Sequence, residues 1–260
     1  MRGEPEMMMV LVSVFGLIVG SFLNVCIYRI PRKLSIVRPG SACPECGHPV
    51  RWYDNLPVLS YLWLRGRCRD CDERITLRYP LVELITGLGF LAVFRVAPDL
   101  ISGLVGCAFV ALLVVVALVD LDHRIIPNSI VLFGTLVGLA AAMAVSPGLG
   151  GAVLGALAGG GALLGVAWLY RLTTGVEGMG AGDIKLMGMV GLFVGWQGAL
   201  LTIFLGALAG TIVGLGIVAF RGGNRRTAVP FGTFLAPAAV AVWLAGEQVL
   251  QWYALALNGG

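Results

Sequence analysis

ISGLVGCAFVALLVVVALVDLDHRIIPN, residues 101–128, decides how this chain is built. From Ile101 to Val119 it carries no charge, and as a helix it is long enough to cross a hydrocarbon layer roughly 30 Å thick. Asp120 closes the run. A carboxylate at the rim of a membrane segment is expensive to keep, so its default reading is functional.

The rest of the chain agrees with a bilayer setting. Of 260 residues, 58% are hydrophobic and 12% charged, too little polar surface to cover a soluble fold. Further apolar runs fall near 7–28, 81–97, 128–146, 149–170, 184–196, 198–220 and 233–254. With 101–119 they predict an all-α polytopic membrane protein of about eight transmembrane helices, the sixth being the shortest. If the N-terminus is outside, the inside loops hold Arg29 through Arg78, Arg124, Arg171 with Lys185, and Arg221, Arg225 and Arg226. Only Arg2 and Arg95 then lie outside, as the enrichment of basic residues in cytoplasmic loops requires. Both termini are thus expected outside.

The first 28 residues look like a signal peptide only superficially. Their apolar stretch is long, it is led by Glu4-Pro5-Glu6, and Cys26-Ile27-Tyr28-Arg29 offers no small-residue cleavage site. A retained first span over 1–29 is expected, with Gly20-Ser21 and Asn24 turned into the bundle.

Residues 30–79 form the only sizeable polar segment, too small to build an adequate apolar core without a staple. Cys43-Pro44-Glu45-Cys46 and Cys68-Arg69-Asp70-Cys71 supply one. Two CxxC knuckles turn four thiolates toward one cation, and a tetrahedral structural zinc satisfies them while closing the long loop. The rival readings are a redox dithiol, an iron site or structural disulfides; cytoplasmic placement argues against persistent disulfides, and paired knuckles with basic neighbours favour metal over redox work. Cys26 and Cys107 lie inside spans and read as small buried hydrophobes. The remainder, 80–260, reads as a seven-helix membrane domain.

A second carboxylate stands in Gly180-Ala181-Gly182-Asp183, just before another apolar run and on the same face as Asp120 in this topology. Of the two acids in Asp120-Leu121-Asp122, Asp120 is preferred because it is deeper, and Pro127 suits the start of the next helix. Gly180 and Gly182 would support the Asp183 loop by permitting positive φ or by admitting an extended peptide backbone. The bland alternative is a Gly-rich turn with Asp183 as a helix cap. Paired carboxylates can share a proton, since two like charges at close range cannot both ionise cheaply. One then acts as general base on water while the other polarises a carbonyl. No Ser-His or Cys-His arrangement competes: His48 lies beside a knuckle and His123 beside Asp122.

These residues resemble the bacterial type IV prepilin peptidases. The likeness runs from Gly20-Ser21-Phe22-Leu23-Asn24-Val25-Cys26-Ile27-Tyr28-Arg29-Ile30-Pro31 through both knuckles and Arg78-Tyr79-Pro80-Leu81-Val82-Glu83-Leu84. It continues through Asp120 to Pro127 and Gly180-Ala181-Gly182-Asp183 to Val229-Pro230-Phe231-Gly232. It implies that Asp120 and Asp183 are the catalytic acids of a GxGD aspartic protease at the cytoplasmic face of the bacterial inner membrane. It implies as substrates type IV prepilins or type II secretion pseudopilins, cut after a glycine, with the new N-terminus then methylated from S-adenosylmethionine. The bilayer is the other expected partner, and no nucleic acid is.

No dinucleotide-like fingerprint marks a methyl-donor site. Gly159-Gly160-Gly161 suits close helix packing, and Glu83 stands equally for a cofactor or leader contact and for a helix-start carboxylate. In the 30–79 loop basic residues outnumber Glu45, Asp54, Asp70, Asp72 and Glu73, so charge does not locate a surface for a cationic leader. Asp99 reads as a helix cap after Pro98, and Glu247 as interfacial. A presenilin-like intramembrane protease would share the paired aspartates but has no reason to carry the cysteine loop. A proton- or cation-coupled transporter would be expected to show acids deeper in its spans and internal repeats.

Overall fold

A computed structural model describes residues 4–221 and 230–258. Arg2, Arg225, Arg226 and Val229 fall outside the described residues. The described residues form helices and turns, with two isolated antiparallel bridges and no longer strand. The chain divides into two compact units, 1–115 and 116–260, the boundary falling within one helix.

In the first unit, α1 (Glu4–Arg29) packs against α3 (Arg78–Val96). The sequence permits the approach through small residues: a Cβ at Gly16 would lie 2.8 Å from Gly87 Cα, and one at Gly20 would lie 2.6 Å from Glu83 Cα. Asn24, 8% exposed, donates to the carbonyls of Tyr79 and Gly20. The polar contact expected of it is therefore made inside the bundle. Pro80 sits in the first turn of α3, where its missing N–H costs nothing. Helix α4 (Leu100–His123) opens on a real cap, with Ser102 N–H and Oγ each donating at 2.9 Å to Asp99. Cys26 and Cys107 are buried.

Between α1 and α3 the loop carries a 3-10 turn (Trp52–Asn55) and α2 (Leu59–Trp63). Its two cysteine knuckles repeat one backbone pattern. The Cys43 amide bonds to His48 O and the Gly47 amide to Cys43 O, while the Cys68 amide bonds to Glu73 O and the Asp72 amide to Cys68 O. Gly47 and Asp72 occupy the matching positive-φ position, and the bridges Ala42–Pro49 and Arg67–Arg74 close each turn.

The second unit holds the end of α4, α5 (Asn128–Ala141), α6 (Gly148–Thr174), α7 (Ala181–Arg221) and α8 (Gly232–Asn258). Helix α7 packs on α5, α6 and α8. Its approach to α6 is backbone on backbone: a Cβ at Gly155 would clash with the Gly191 carbonyl, and one at Gly159 would lie 2.5 Å from Met187 O. Gly161 meets nothing, so only part of the Gly-rich run serves the packing.

Each of the eight apolar runs is helical over most of its length, yet among the described residues six helices are both long and apolar enough to cross a membrane. The difference has two causes. Helix α7 joins the 184–196 and 198–220 runs across Gly195, whose φ of 69° and ψ of −179° suit glycine alone. Helix α5 stops at Ala141, with amides from Ala142 to Val145 turning back onto nearby carbonyls ahead of Pro147. Its 14 residues span about 21 Å, short of a full crossing.

Candidate active site

Asp120 lies one turn before the end of α4 and is 5% exposed, whereas Asp122 faces outward. The depth argument that separated them holds. The chain leaves α4 through Arg124, which takes a positive φ and bonds its amide to Asp120 O. Pro127 then immediately precedes α5. The Asp120 carboxylate is met by the start of α8, 113 residues away. Thr233 N–H donates to Asp120 Oδ2 at 2.9 Å, and Thr233 Oγ1 lies 3.3 Å from the same oxygen. A carboxylate against the first amides of a helix is favoured by their unpaired N–H groups and the helix dipole. Gly232 makes the approach possible, since a Cβ there would lie 2.9 Å from Asp120 Oδ2.

Asp183 is half-buried in the first turn of α7. It is thus inside the helix rather than in the loop before it, and its amide bonds to Gly180 O. Its carboxylate accepts no hydrogen bond among the described residues. The glycines of this motif take no positive φ. Gly182 is needed for closeness instead: a Cβ there would press on Ile126 Cβ at 3.1 Å, while Gly180 is open, its nearest neighbour being Asp183 Oδ2 at 3.8 Å.

Ile126 joins the two sites. A Cβ at Gly182 would meet it from the Asp183 side, and a Cβ at Gly232 would meet its Cδ1 at 3.0 Å from the Asp120 side. The α4–α5 turn, the start of α7 and the start of α8 therefore close on one side chain. Lys185, two residues on, donates to Asn128 Oδ1 at 3.2 Å, fastening α7 to α5.

In the first unit the four cysteines converge as expected. Their Sγ atoms all lie within 4.8 Å of one another, with Cys43 to Cys71 at 3.8 Å and Cys46 to Cys68 at 4.0 Å. A tetrahedron with metal–sulfur bonds of about 2.3 Å has edges of about 3.8 Å, so the donor set fits such an ion. The Cys46 and Glu45 amides pull the Cys43 thiol down to about 7. Cys71 feels the Glu73 amide in the same sense, but desolvation and the three neighbouring sulfurs push it up to about 12. Four thiols this close cannot all ionise without a cation between them. Around the cluster Arg69 grips Asp54 through Nε and Nη2, at 2.6 to 3.1 Å, while Arg51 pairs with Asp70 and Arg67 with Asp72.

Glu83, on α3, is held by polar contacts on two sides. It is 8% exposed, accepts the Val58 amide at 2.8 Å, and shares a hydrogen bond with Ser21. It therefore ties α3 to α1 and to the start of α2. A separate cavity of about 390 Å3 opens between α1 and the loop, lined among others by Phe22, Val25, Arg29, Val37, Ser41 and Asn55. Arg29 shapes its wall by donating to the carbonyls of Ser35, Pro39 and Gly40.

Fold and site together define a helical multi-pass membrane protein with two acids gathered at helix ends and a four-cysteine cluster able to hold a metal ion in its first long loop. The family model described as the Bacterial Peptidase A24 N-terminal domain matches residues 14–96, and that of the Type IV leader peptidase family matches 107–215. The chain is similar to a protein of Aeromonas hydrophila named prepilin leader peptidase/N-methyltransferase, with 36% identity covering 97% of this chain and 96% of that one. A protein of the same name from Pseudomonas putida is 38% identical, covering 95% and 93%. One from Myxococcus xanthus is 42% identical over 79% of this chain and 62% of its own length. No solved structure matches. The chain belongs to the type IV leader peptidase family, which sets aside the transporter and the presenilin-like reading.

Proposed function

We propose that this chain is the membrane aspartic endopeptidase that removes the leader of type IV prepilins or type II secretion pseudopilins, with Asp120 and Asp183 as its catalytic acids. The observation that carries the assignment is the closure of both acid-bearing segments on Ile126. The order of events follows from that pair. One ionised carboxylate takes a proton from water as its oxygen attacks the scissile carbonyl, and the other gives its proton to the carbonyl oxygen. Collapse of the tetrahedral diol returns that proton, and the first acid delivers its own to the departing amine.

The peptidase name shared with N-methyltransferase in the relatives supports a second activity on the amine just released. S-adenosylmethionine, when bound, supplies the methyl group. The cavity beside α1 is the candidate place for it, having the size and the mixture of apolar walls and polar points that small-molecule sites show. Zinc is the proposed ion of the cysteine cluster, with a structural role, since all four positions are filled by protein ligands. The distribution of Arg29 to Arg78, Arg124, Arg171 and Lys185 supports termini outside, with the loop and the acid pair on the cytoplasmic face.

The test is intact-mass analysis of a prepilin incubated with the purified protein in detergent. Loss of the leader, followed by a gain of one methyl group only when S-adenosylmethionine is added, is the expected result. An unprocessed substrate would overturn the assignment. Photocrosslinking of radiolabelled S-adenosylmethionine should label peptides spanning 22–57, and labelling confined to the second unit would move the donor site.

A further inference from the structure

The two acids have unequal surroundings, and the inequality assigns their roles. Asp120 Oδ2 accepts the Thr233 amide at 2.9 Å, with the Gly232 amide alongside. Asp183 accepts nothing among the described residues. An amide is an obligate donor, so it favours the ionised form of the oxygen it faces. The pair's single negative charge therefore belongs on Asp120, and the shared proton on Asp183.

Thr233 Oγ1 adds a movable part. It lies 3.3 Å from Asp120 Oδ2 and 3.3 Å from the Ala117 carbonyl oxygen, and a hydroxyl has one proton to give. While Asp120 is charged, the carboxylate is the stronger acceptor and takes it. Once Asp120 has gained a proton from water, the hydroxyl turns to Ala117 O and no donor is stranded in either state.

We propose that Thr233 is a positioning residue that holds Asp120 as the ionised general base and follows its protonation by switching its hydroxyl between Oδ2 and the Ala117 carbonyl. The proposal rests on the reading of Asp120 and Asp183 as the catalytic acids. Among the described residues the charged groups around Asp120 are few. Helix α7 presents Asp183, and Lys185 is engaged with Asn128. The first turn of α8, from Gly232 to Leu235, has no titratable side chain, and α5 begins with uncharged Asn128. Asp122, His123 and Arg124 on the same segment face outward.

The experiment is the pH dependence of prepilin cleavage by Thr233→Val and Thr233→Ser, compared with the unaltered protein. Valine keeps the amide and removes the hydroxyl. Loss of one charge-assisted donor should move the acid limb of kcat/KM up by about one pH unit, giving about a tenfold loss on that limb with KM little changed. Serine should restore the original profile. An unmoved acid limb in Thr233→Val, or a Thr233→Ser profile like that of valine, would overturn the proposal. A rise in KM with kcat intact would show a substrate contact instead. If Asp120→Asn and Asp183→Asn abolish cleavage while Thr233→Val leaves the profile in place, this inference alone fails. If either aspartate variant stays active, the underlying reading fails first.

Discussion

Replacing Gly232 by alanine isolates the approach of α8 to Asp120. The new Cβ would stand 2.9 Å from Oδ2, 3.0 Å from Ile126 Cδ1 and 3.2 Å from Asp120 Cγ, where ordinary contact begins at 3.4 Å. Relief requires the carboxylate to move by the difference, about 0.5 Å, and it cannot do so without lengthening its bond from the Thr233 amide. A displacement of about 1 Å in a reacting group costs about a hundredfold in rate, so half of that costs about tenfold, or about 1.4 kcal/mol of barrier. Stability should move in the other direction or hardly at all. Gly232 has no positive φ, and alanine in a helix is favoured over glycine by about 0.5–1 kcal/mol, which offsets the local crowding. The assay is kcat for prepilin cleavage in detergent beside the thermal midpoint of the same preparation. Full activity would refute the argument that α8 fixes Asp120, and a collapsed midpoint would show that Gly232 serves the fold instead.

Three other outcomes follow from the first unit. Chelation or Cys46→Ser should release about one zinc per chain, measured by elemental analysis, and expose residues 30–79 to protease, since all four ligands close one loop. Glu83→Ala removes the acceptor of the half-buried Val58 amide and should lower stability by about 1 kcal/mol, read from the thermal midpoint. The hydrogen bond from Arg69 holds the Asp54 carboxyl below its usual range. That pair therefore contributes stability above the unfolded carboxylate value of about 4, and the contribution is lost as pH falls through the lower folded value. Protease protection of the loop should fall over that acid window in the unaltered protein and show less pH dependence in Asp54→Asn.

The positions of the apolar runs and the depth of Asp120 relative to Asp122 were legible because hydropathy and chain distance carry them directly. The cysteine cluster was legible for the same reason, since CxxC spacing already fixes two sulfurs on one side of a turn. Neither periodicity nor composition shows which helix start meets which carboxylate. The contact of Thr233 with Asp120 is set by packing across 113 residues, and its only trace in the sequence was the Pro230-Phe231-Gly232 stretch beside it. The use of Gly182 was only half legible, because a positive φ and a close neighbour both call for glycine and only the position of Ile126 distinguishes them. The shortness of α5 depended on turns at Ala142 to Val145, where every residue is apolar and hydropathy does not change.

The most direct test of the acid pair is prepilin processing by Asp120→Asn, Asp183→Asn and Asp122→Asn, purified alike and matched in thermal midpoint. Asparagine keeps the shape of each side chain and removes its ability to exchange a proton. The pair predicts that the first two variants lose at least about a thousandfold in kcat while Asp122→Asn stays near the unaltered rate. Cleavage surviving in either Asp120→Asn or Asp183→Asn, or lost in Asp122→Asn alone, would contradict it.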